Sequence, residues 1–218
     1  MAIITKKQIL ERIEKGEIGF KPELDQFQLQ AHAVDLRLGF TFLIPKIWRL
    51  TERGREAVNI DHFAKDRPQY FDTVELEKGQ FFDLLPGEHI LVSTLESIKV
   101  PADLMAVLYP RSSVNRKGLS VDLTGIIDSG YEGQLAVPVR NNTQAQTVRL
   151  YPGERFCQVV FDRLDEKVEI TKSRYHKKDI IEGFIRNHGE KSERDEEEIG
   201  MIRKGEIKEL KEKYKINN

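Results

Sequence analysis

The chain has 218 residues, enough to bury the core of one domain and to leave room for an appendage. The formal net charge is -1, from 35 basic and 36 acidic side chains, so no overall field favours nucleic acid or an anionic bilayer as a partner. Apolar runs fall short of the roughly 20 residues of a transmembrane helix, and the N-terminus lacks a signal-peptide pattern. We therefore expect a cytoplasmic protein with no membrane or nucleic-acid partner.

Metal and thiol chemistry is limited by the residue types present. Cys157 is the only cysteine, which excludes an intrachain disulfide and a zinc site of the Cys-x-x-Cys kind. Four of the histidines show no ligand spacing with one another and are read as surface or packing residues: His32, His62, His89 and His188. No direct protein ligand set for a metal is predicted.

The first predicted element is a short helix over residues 5–15. Thr5 and Gln8 have the spacing of a capping box, which satisfies backbone N–H groups at a helix start. Gly16 follows as a stop signal, since glycine readily adopts the left-handed conformation that ends helices.

Residues 33–171 carry a different pattern, short runs of alternating apolar residues broken by glycine and proline. Leu135, Val137 and Val139 alternate with other residues in the manner of a half-buried strand. Pro86-Gly87 and Pro152-Gly153 are typical turn pairs. The pattern predicts a mainly β body with a jelly-roll or barrel arrangement.

Two segments depart from this pattern. Residues 46–72 lack clear periodicity and predict an extended excursion from the sheet. Residues 186–198 are almost uninterrupted polar, and apolar residues then recur at near-helical spacing. These are Ile199, Ile202, Ile207, Leu210 and Tyr214. We predict a domain over 1–185, followed over 186–218 by a charged linker and a C-terminal helix.

The first candidate site is a cluster of donors directly after the apolar run 104–108. It contains Arg111, Ser112, Ser113 and Arg116. Guanidinium and hydroxyl donors suit phosphate oxygens, because each such bond is charge-assisted and arginine can hold two oxygens at once. A serine-capped helix start with solvated bases explains the same residues equally well.

The second candidate site is the glycine-rich turn that contains Asp128 and Tyr131. An ionised aspartate at this position can orient and deprotonate a water, and the tyrosine ring can pack against a sugar. Taken alone, an Asx-turn with a packing tyrosine is the simpler interpretation.

A third acidic position stands apart from these turns. Asp35 lies between apolar neighbours, so it is expected to pair with a base such as Arg37 or to lie near a site. The segment from Tyr151 to Gln158 reads as a tight turn leading into a strand.

Together and in this order, the segments over roughly residues 1–175 resemble the dUTPase/dCTP deaminase superfamily; no resemblance is found after residue 186. The resemblance implies a dUTPase-like distorted jelly-roll and a homotrimer with sites between subunits, so that 111–113 and 128–131 reach one site from different chains. It also implies Mg²⁺ as a cofactor held mainly by triphosphate oxygens and waters, with Asp35 as an outer-shell contact.

The resemblance also implies residue roles. Asp128 would activate a water for attack at the α-phosphorus of a deoxypyrimidine triphosphate, dUTP or dCTP. The substrate-binding residues would be Arg111, Ser112, Ser113, Arg116, Tyr131, Gln158, Tyr175 and Lys178. Tyr175 and Lys178 belong to a segment similar to the start of the deaminase tail, where such residues cover the nucleotide.

The choice between the two branches rests mainly on one position, and the interval from Arg111 to Asp128 also resembles that of dUTPases, being one residue shorter than in typical deaminases. The deaminase branch carries a catalytic glutamate where this chain has Pro138, and proline cannot shuttle a proton to a cytosine ring. The sequence therefore favours a dUTP diphosphatase that forms dUMP and diphosphate. The alternatives are a dCTP deaminase, supported by the N-terminal half and the tail start, and a catalytically silent nucleotide-binding trimer, suggested by the missing glycine-rich C-terminal arm.

Overall fold

The computed structural model describes residues 2–60, 70–122, 125–170 and 193–216. This part of the chain is mainly β, which confirms the predicted fold class. Its elements are β1 Ala2–Ile3, α1 Lys6–Glu14, β2 Gly19–Lys21, β3 Val34–Pro45, β4 Trp48–Thr51, β5 Gly54–Ala57, β6 Phe71–Glu75, β7 Phe82–Leu84, β8 His89–Lys99, β9 Leu104–Pro110, α2 Ser112–Asn115, β10 Leu119–Val121, β11 Ile126–Ile127, β12 Glu132–Asn141, β13 Val148–Leu150, β14 Arg155–Arg163, α3 Glu193–Lys204 and α4 Ile207–Lys213.

Helix α1 has the predicted start and end. The side-chain Oε1 of Gln8 accepts a hydrogen bond of 2.9 Å from the backbone N–H of Thr5, as a capping box requires. Gly16 follows the helix with a φ of 69°, the left-handed conformation expected of a C-terminal glycine. Ile9 is fully buried, so the helix packs on the β body through its apolar side.

Ten strands form one curled sheet, and its central path runs β10, β12, β8, β3, β14, β9 and β11. Strands β1, β2 and β6 pair with β14, β8 and β3. The predicted alternation in β12 is confirmed, because Leu135, Val137 and Val139 are all buried in the core. The curled sheet encloses the core, and its strand ends and connecting turns carry the candidate site residues.

Strand β14 lies between β3 and β9, and Cys157 lies near its start. Its register partners are Leu36 in β3 and Pro110 in β9. The thiol is fully buried, and burial raises its pKa well above the ordinary value. Cys157 is therefore a packing residue in the part of the sheet that carries Asp35 and Arg155.

The predicted excursion at 46–72 contains a hairpin of its own. Strands β4 and β5 pair only with each other among the described residues, and Arg55 lies 4.7 Å from the ring centroid of Trp48. Phe71 begins β6, which returns to the sheet beside β3. The part of this segment at 61–69 lies outside the described residues.

The C-terminal segment differs from the prediction of a single helix. It forms α3 and α4, which contact each other. Gly205 separates them with a φ of 76°, a conformation in which a right-handed helix cannot continue. None of the described helices has the length and apolar character of a bilayer span.

Candidate functional site

The two predicted clusters lie at the two ends of β9. Arg111 directly follows the last residue of β9, and its backbone N–H donates to the carbonyl of Phe156 in β14 at 3.2 Å. At the other end, the hydroxyl of Ser129 donates to the carbonyl of Leu104 at 2.6 Å. Strand β9 therefore positions both clusters and also separates them.

Asp35 is the centre of the first cluster. Its side chain is 1% exposed, and its Oδ2 lies 3.1 Å from Nε of Arg111 and 3.2 Å from Nη1 of Arg155. The side-chain amide of Gln30 also donates to Oδ2 at 3.2 Å. Burial raises the pKa of Asp35, and the charges of Arg111 and Arg155 act against that shift.

The observed partners of Asp35 correct one prediction from the sequence, in which Arg37 was named as a base that could pair with it. The guanidinium of Arg37 instead bonds Asp25 at 2.7 and 3.1 Å and the carbonyl of Gly153 at 2.5 Å. Asp35 pairs with residues that are distant in sequence and are brought close by the pairing of strands. The spacing of residues within one strand cannot predict such partners.

A second buried acid supports this region. Glu96 is 1% exposed and accepts hydrogen bonds from the side-chain amide of Gln28 at 2.7 Å and from the backbone N–H of Arg37 at 2.9 Å. Burial raises the pKa of Glu96. The same amide of Gln28 donates to the carbonyl of Asp35 at 2.9 Å. Glu96 and Gln28 thus brace the backbone that presents Asp35.

The structure places some of the other residues that were predicted to bind the substrate near Arg111. Arg111 is the N-terminal capping position of α2, so the segment is the start of a short helix, but no side chain bonds the cap, whereas the alternative interpretation expected serine caps. Ser112 and Arg116 are exposed, and Ser113 is half-buried. Gln158 lies directly across from Asp35 in the β14–β3 register. Tyr175 and Lys178 lie outside the described residues.

The turn at 128–131 is more open on its acidic side. The Asp128 side chain is exposed and makes no hydrogen bond or ion pair with another described residue. Tyr131 packs partly against the core, and its hydroxyl donates to the carbonyl of Gln134 at 2.5 Å. Burial raises the pKa of Tyr131 to about 12, so its hydroxyl is neutral at physiological pH and acts as a donor here.

The separation of the two clusters follows from the register of β9. Ile127 pairs with Ala106, which places Asp128 beside Met105, six residues before Arg111. At about 3.3 Å per residue, that spacing puts the two side-chain attachments roughly 20 Å apart. One chain therefore does not bring Asp128 and Arg111 to one small-molecule site.

Pro138 lies in β12 next to the end of β10. Because Val121 pairs with Val139, Asp122 stands opposite Pro138, and its N–H donates to the carbonyl of Pro138 at 2.9 Å. Proline has no N–H to return, so a single backbone hydrogen bond joins this pair. Asp122 is half-buried on the face opposite the buried valines, and its Oδ1 accepts from the hydroxyl of Ser120 at 2.8 Å.

The described residues do not form a metal cage. They contain no group of three or more His, Cys, Asp or Glu side chains that is able to hold an ion. Oδ2 of Asp35 is shared by two guanidiniums and Oδ1 is buried without a hydrogen-bond partner, so the outer-shell role of Asp35 stays a prediction. A cation held by the substrate remains compatible with this arrangement.

A cavity of about 750 Å³ lies between α1, β2 and the end of β8, and it reaches Leu29 and Glu132, which are next in the chain to residues of the two clusters. Its floor is largely apolar, and Lys21, Lys99 and Glu132 are among its polar residues. None of the described residues predicted as site residues lines it. The sequence pattern gave no indication of this cavity.

Three residues of the first cluster were not among the predicted site residues: Gln28, Glu96 and Arg155. Arg155 was visible in the sequence as the base that follows Pro152-Gly153-Glu154, but only the fold shows that it reaches Asp35. Glu96 and Gln28 carried no local signal, because their burial depends on pairing between distant segments.

The comparisons with known proteins agree with this fold. A family model described as dCTP deaminase-like matches residues 3–164. The chain therefore belongs to the dCTP deaminase-like family, and the predicted superfamily is confirmed.

Several relatives share one name, dCTP deaminase, dUMP-forming. The protein of Methanobrevibacter smithii is 35% identical over 174 residues, which cover 78% of this chain and 84% of that protein. The protein of Dictyoglomus thermophilum is 37% identical over 179 residues, 81% of this chain and 86% of that protein. The protein of Methanothermobacter thermautotrophicus is 33% identical over 220 residues, 100% of this chain and 98% of that protein, so similarity extends beyond residue 186.

Solved structures support the fold. The crystal structure of 2'-deoxycytidine 5'-triphosphate deaminase from Agrobacterium tumefaciens aligns with a TM-score of 0.54 and 22% sequence identity. The alignment covers 73% of this chain and 47% of that chain, so this chain spans about half of that protein.

These relatives overturn the main functional prediction. Hydrolysis of dUTP by a dUTP diphosphatase is wrong as the primary activity, because relatives 33–37% identical over most of the chain are dUMP-forming dCTP deaminases. The prediction rested on the absence of a carboxylate at position 138 and on features suited to triphosphate hydrolysis, but forming dUMP from dCTP also requires release of diphosphate. Sequence features suited to triphosphate hydrolysis therefore do not distinguish the two activities.

Proposed function

We propose that this protein is a dUMP-forming dCTP deaminase. One dCTP and two waters give dUMP, ammonia and diphosphate. The observation that carries the proposal is similarity to dUMP-forming dCTP deaminases over 78–100% of the chain. A triphosphate substrate is also consistent with the half-buried arginines beside Asp35.

Diphosphate release is assigned to the turn at 128–131. Asp128 orients and deprotonates the water that attacks the α-phosphorus, and its exposure leaves the carboxylate accessible to that water. Arg111 and Ser113 bind phosphate oxygens from the opposite end of β9. When bound to the triphosphate, Mg²⁺ would neutralise part of the charge on the leaving diphosphate.

A single chain is insufficient for this assignment, because β9 keeps Asp128 and Arg111 roughly 20 Å apart. A symmetric homotrimer resolves the difficulty by bringing Arg111 of one chain to Asp128 of another. The separation within β9 supports this arrangement.

Deamination needs a group that transfers protons at the cytosine ring, and Pro138 cannot serve. Asp122 is the carboxylate directly across the strand pair from Pro138, on the same face of the sheet. Directly opposed residues place their Cβ atoms about 5 Å apart, a distance that a carboxylate can span. We assign proton transfer to Asp122, with Ser120 holding its Oδ1.

The experiment incubates the purified protein with dCTP and Mg²⁺ and measures ammonia, diphosphate and the nucleotide product in the same sample. We expect ammonia and diphosphate in equal amounts, with dUMP as the nucleotide. Diphosphate from dUTP without ammonia from dCTP contradicts the proposal, as does nucleotide binding without either product.

The Asp122→Asn variant tests the deamination step. We expect ammonia release to fall by about 10²- to 10⁴-fold, the usual contribution of a positioned acid or base, with dCTP affinity retained. Asp165→Asn, at an exposed position after β14, is the matched control. Ammonia release from Asp122→Asn at the rate of this control excludes Asp122 as the proton-transferring group.

A further inference from the structure

Asp35 holds two guanidiniums on a single oxygen. Arg111 arrives from the end of β9 and Arg155 from the first residue of β14, and both bond Oδ2 of Asp35. The other carboxylate oxygen, Oδ1, is buried and has no hydrogen-bond partner. Two arginines on one oxygen exceed what a simple ion pair requires.

Backbone contacts fix both guanidiniums in place. Nη1 of Arg111 donates to the carbonyl of Arg155 at 3.0 Å, and Nη1 of Arg155 donates to the carbonyl of Phe27. The two side chains are 27% and 28% exposed, so each has one side towards the protein and one towards solvent. Their orientation is therefore set before any ligand arrives.

The two guanidiniums outnumber the one carboxylate that both of them bond, and the other carboxyl groups of this region, Glu96 and Asp25, bond Gln28 and Arg37 instead. Arg111, Arg155 and Asp35 together carry a formal +1, and nearby Arg37 is paired with Asp25. Each guanidinium has five N–H donors, and the contacts with Asp35 and with backbone carbonyls use only part of them. No other hydrogen bond to a described residue occupies the Nη2 groups of Arg111 and Arg155. A half-buried positive pair with free donors suits an anion with several oxygens.

We propose that Arg155 binds phosphate oxygens together with Arg111, and that Asp35 is the positioning residue that holds the pair at a fixed spacing. The ligand is a polyphosphate, and its identity as the triphosphate of dCTP rests on the proposed function. Anion binding itself does not depend on turnover. The competing explanation is that the two arginines only compensate for the burial of Asp35.

Titration calorimetry on the full-length protein separates these explanations, with inorganic tripolyphosphate and deoxycytidine as probes. We expect Arg155→Gln to weaken tripolyphosphate binding by about 10- to 100-fold, the range of one or two charge-assisted bonds, and to leave deoxycytidine binding unchanged. Arg155→Lys should restore part of the affinity, since it keeps the charge but loses the planar fork.

The control is Arg149→Gln, which removes an arginine paired with Asp83 outside this cluster. Circular dichroism checks that each variant is folded. Equal tripolyphosphate affinity in wild type, Arg155→Lys and Arg155→Gln overturns the proposal. If dCTP turnover is absent but tripolyphosphate binding depends on Arg155, the proposed function fails and this inference stands.

Asp35→Asn tests the positioning role directly. Neutralising this side chain raises the local formal charge from +1 to +2, so electrostatics alone predicts tighter tripolyphosphate binding. Positioning predicts the opposite, because a neutral amide oxygen holds two guanidiniums less firmly. We expect binding to weaken by about 10-fold. Tighter binding overturns the positioning role of Asp35.

Discussion

The two ends of β9 differ in how much of their geometry one chain provides. At the Arg111 end, a buried carboxylate, two guanidiniums and two backbone carbonyls fix each other. At the Asp128 end, the carboxylate is exposed and has no partner among the described residues. The end proposed to bind phosphate is preorganised within a chain, whereas the end proposed to activate water is not.

This difference indicates where the two functions obtain their precision. Binding a multiply charged anion benefits from donors that are already oriented, because little ordering remains to be done on binding. A base that attacks phosphorus must reach one position relative to the substrate. On the proposed arrangement, a neighbouring chain and its bound nucleotide supply that position for Asp128.

The largest expected effect comes from removing the proposed general base, Asp128. Asp128→Asn keeps the shape of the side chain but cannot accept a proton, so diphosphate release should fall by about 10²- to 10⁴-fold. dCTP affinity should stay close to that of wild type. Single-turnover rates and calorimetry measure the two quantities, and normal turnover in this variant removes Asp128 from the mechanism.

A mixed trimer tests whether the two ends of β9 serve different sites. Arg111→Gln and Asp128→Asn chains, each inactive alone, are co-expressed with different affinity tags. If each site takes Arg111 from one chain and Asp128 from the next, random mixing restores roughly a quarter of the sites. If one chain supplies both residues, no site regains both, and the co-purified mixture stays inactive.

The stability of the two ends should also differ. Asp35→Ala leaves two guanidiniums without their shared carboxylate, and such a loss typically costs about 3–5 kcal/mol of unfolding free energy. Asp128→Ala removes an exposed side chain and should change the free energy of unfolding by less than about 0.5 kcal/mol. Urea denaturation compares them, and equal effects contradict the contrast drawn between the two ends.

The smallest expected effect concerns the ion pair between Asp103 and Arg12, next to the end of β9 at which Asp128 lies. Asp103, just before β9, bonds Arg12 of α1, and this hydrogen bond lowers the pKa of Asp103 below its ordinary value of 3.8. The folded state thus binds the proton more weakly than the unfolded state. The stabilisation is present above the unfolded pKa and is lost as the pH falls through the folded one.

The variant Asp103→Asn should therefore destabilise the protein by about 1–3 kcal/mol at pH 7, the range for a charge-assisted hydrogen bond. At pH 3 the difference from wild type should shrink. Urea denaturation at the two pH values measures it, and a difference that grows in acid contradicts the assignment.

The features that sequence predicted well are local ones. Thr5, Gln8 and Gly16 act within a few residues of each other, so their spacing was enough to place α1. The alternation in β12 directly reflects which side chains face the core. The break at Gly205 was also local, but the apolar repeat on both sides of it suggested one continuous helix.

The features that sequence did not predict depend on distant pairing. Asp35 meets Arg155 because β3 and β14 are neighbours with a register shift between Arg155 and Cys157. No pattern within either segment fixes that shift. The absence of a carboxylate at position 138 was read as loss of deamination, although strand pairing puts the carboxylate of Asp122 beside it.

The burial of Cys157 provides an internal reporter for the preorganised end. It is the one thiol of the chain, it is inaccessible in the folded state, and it lies two residues from Arg155. A thiol-reactive dye can therefore modify only molecules in which this stretch of β14 has opened. The rate of labelling measures how often the strand around Cys157 opens, and a slower rate in the presence of tripolyphosphate would show that the ligand stabilises the closed form.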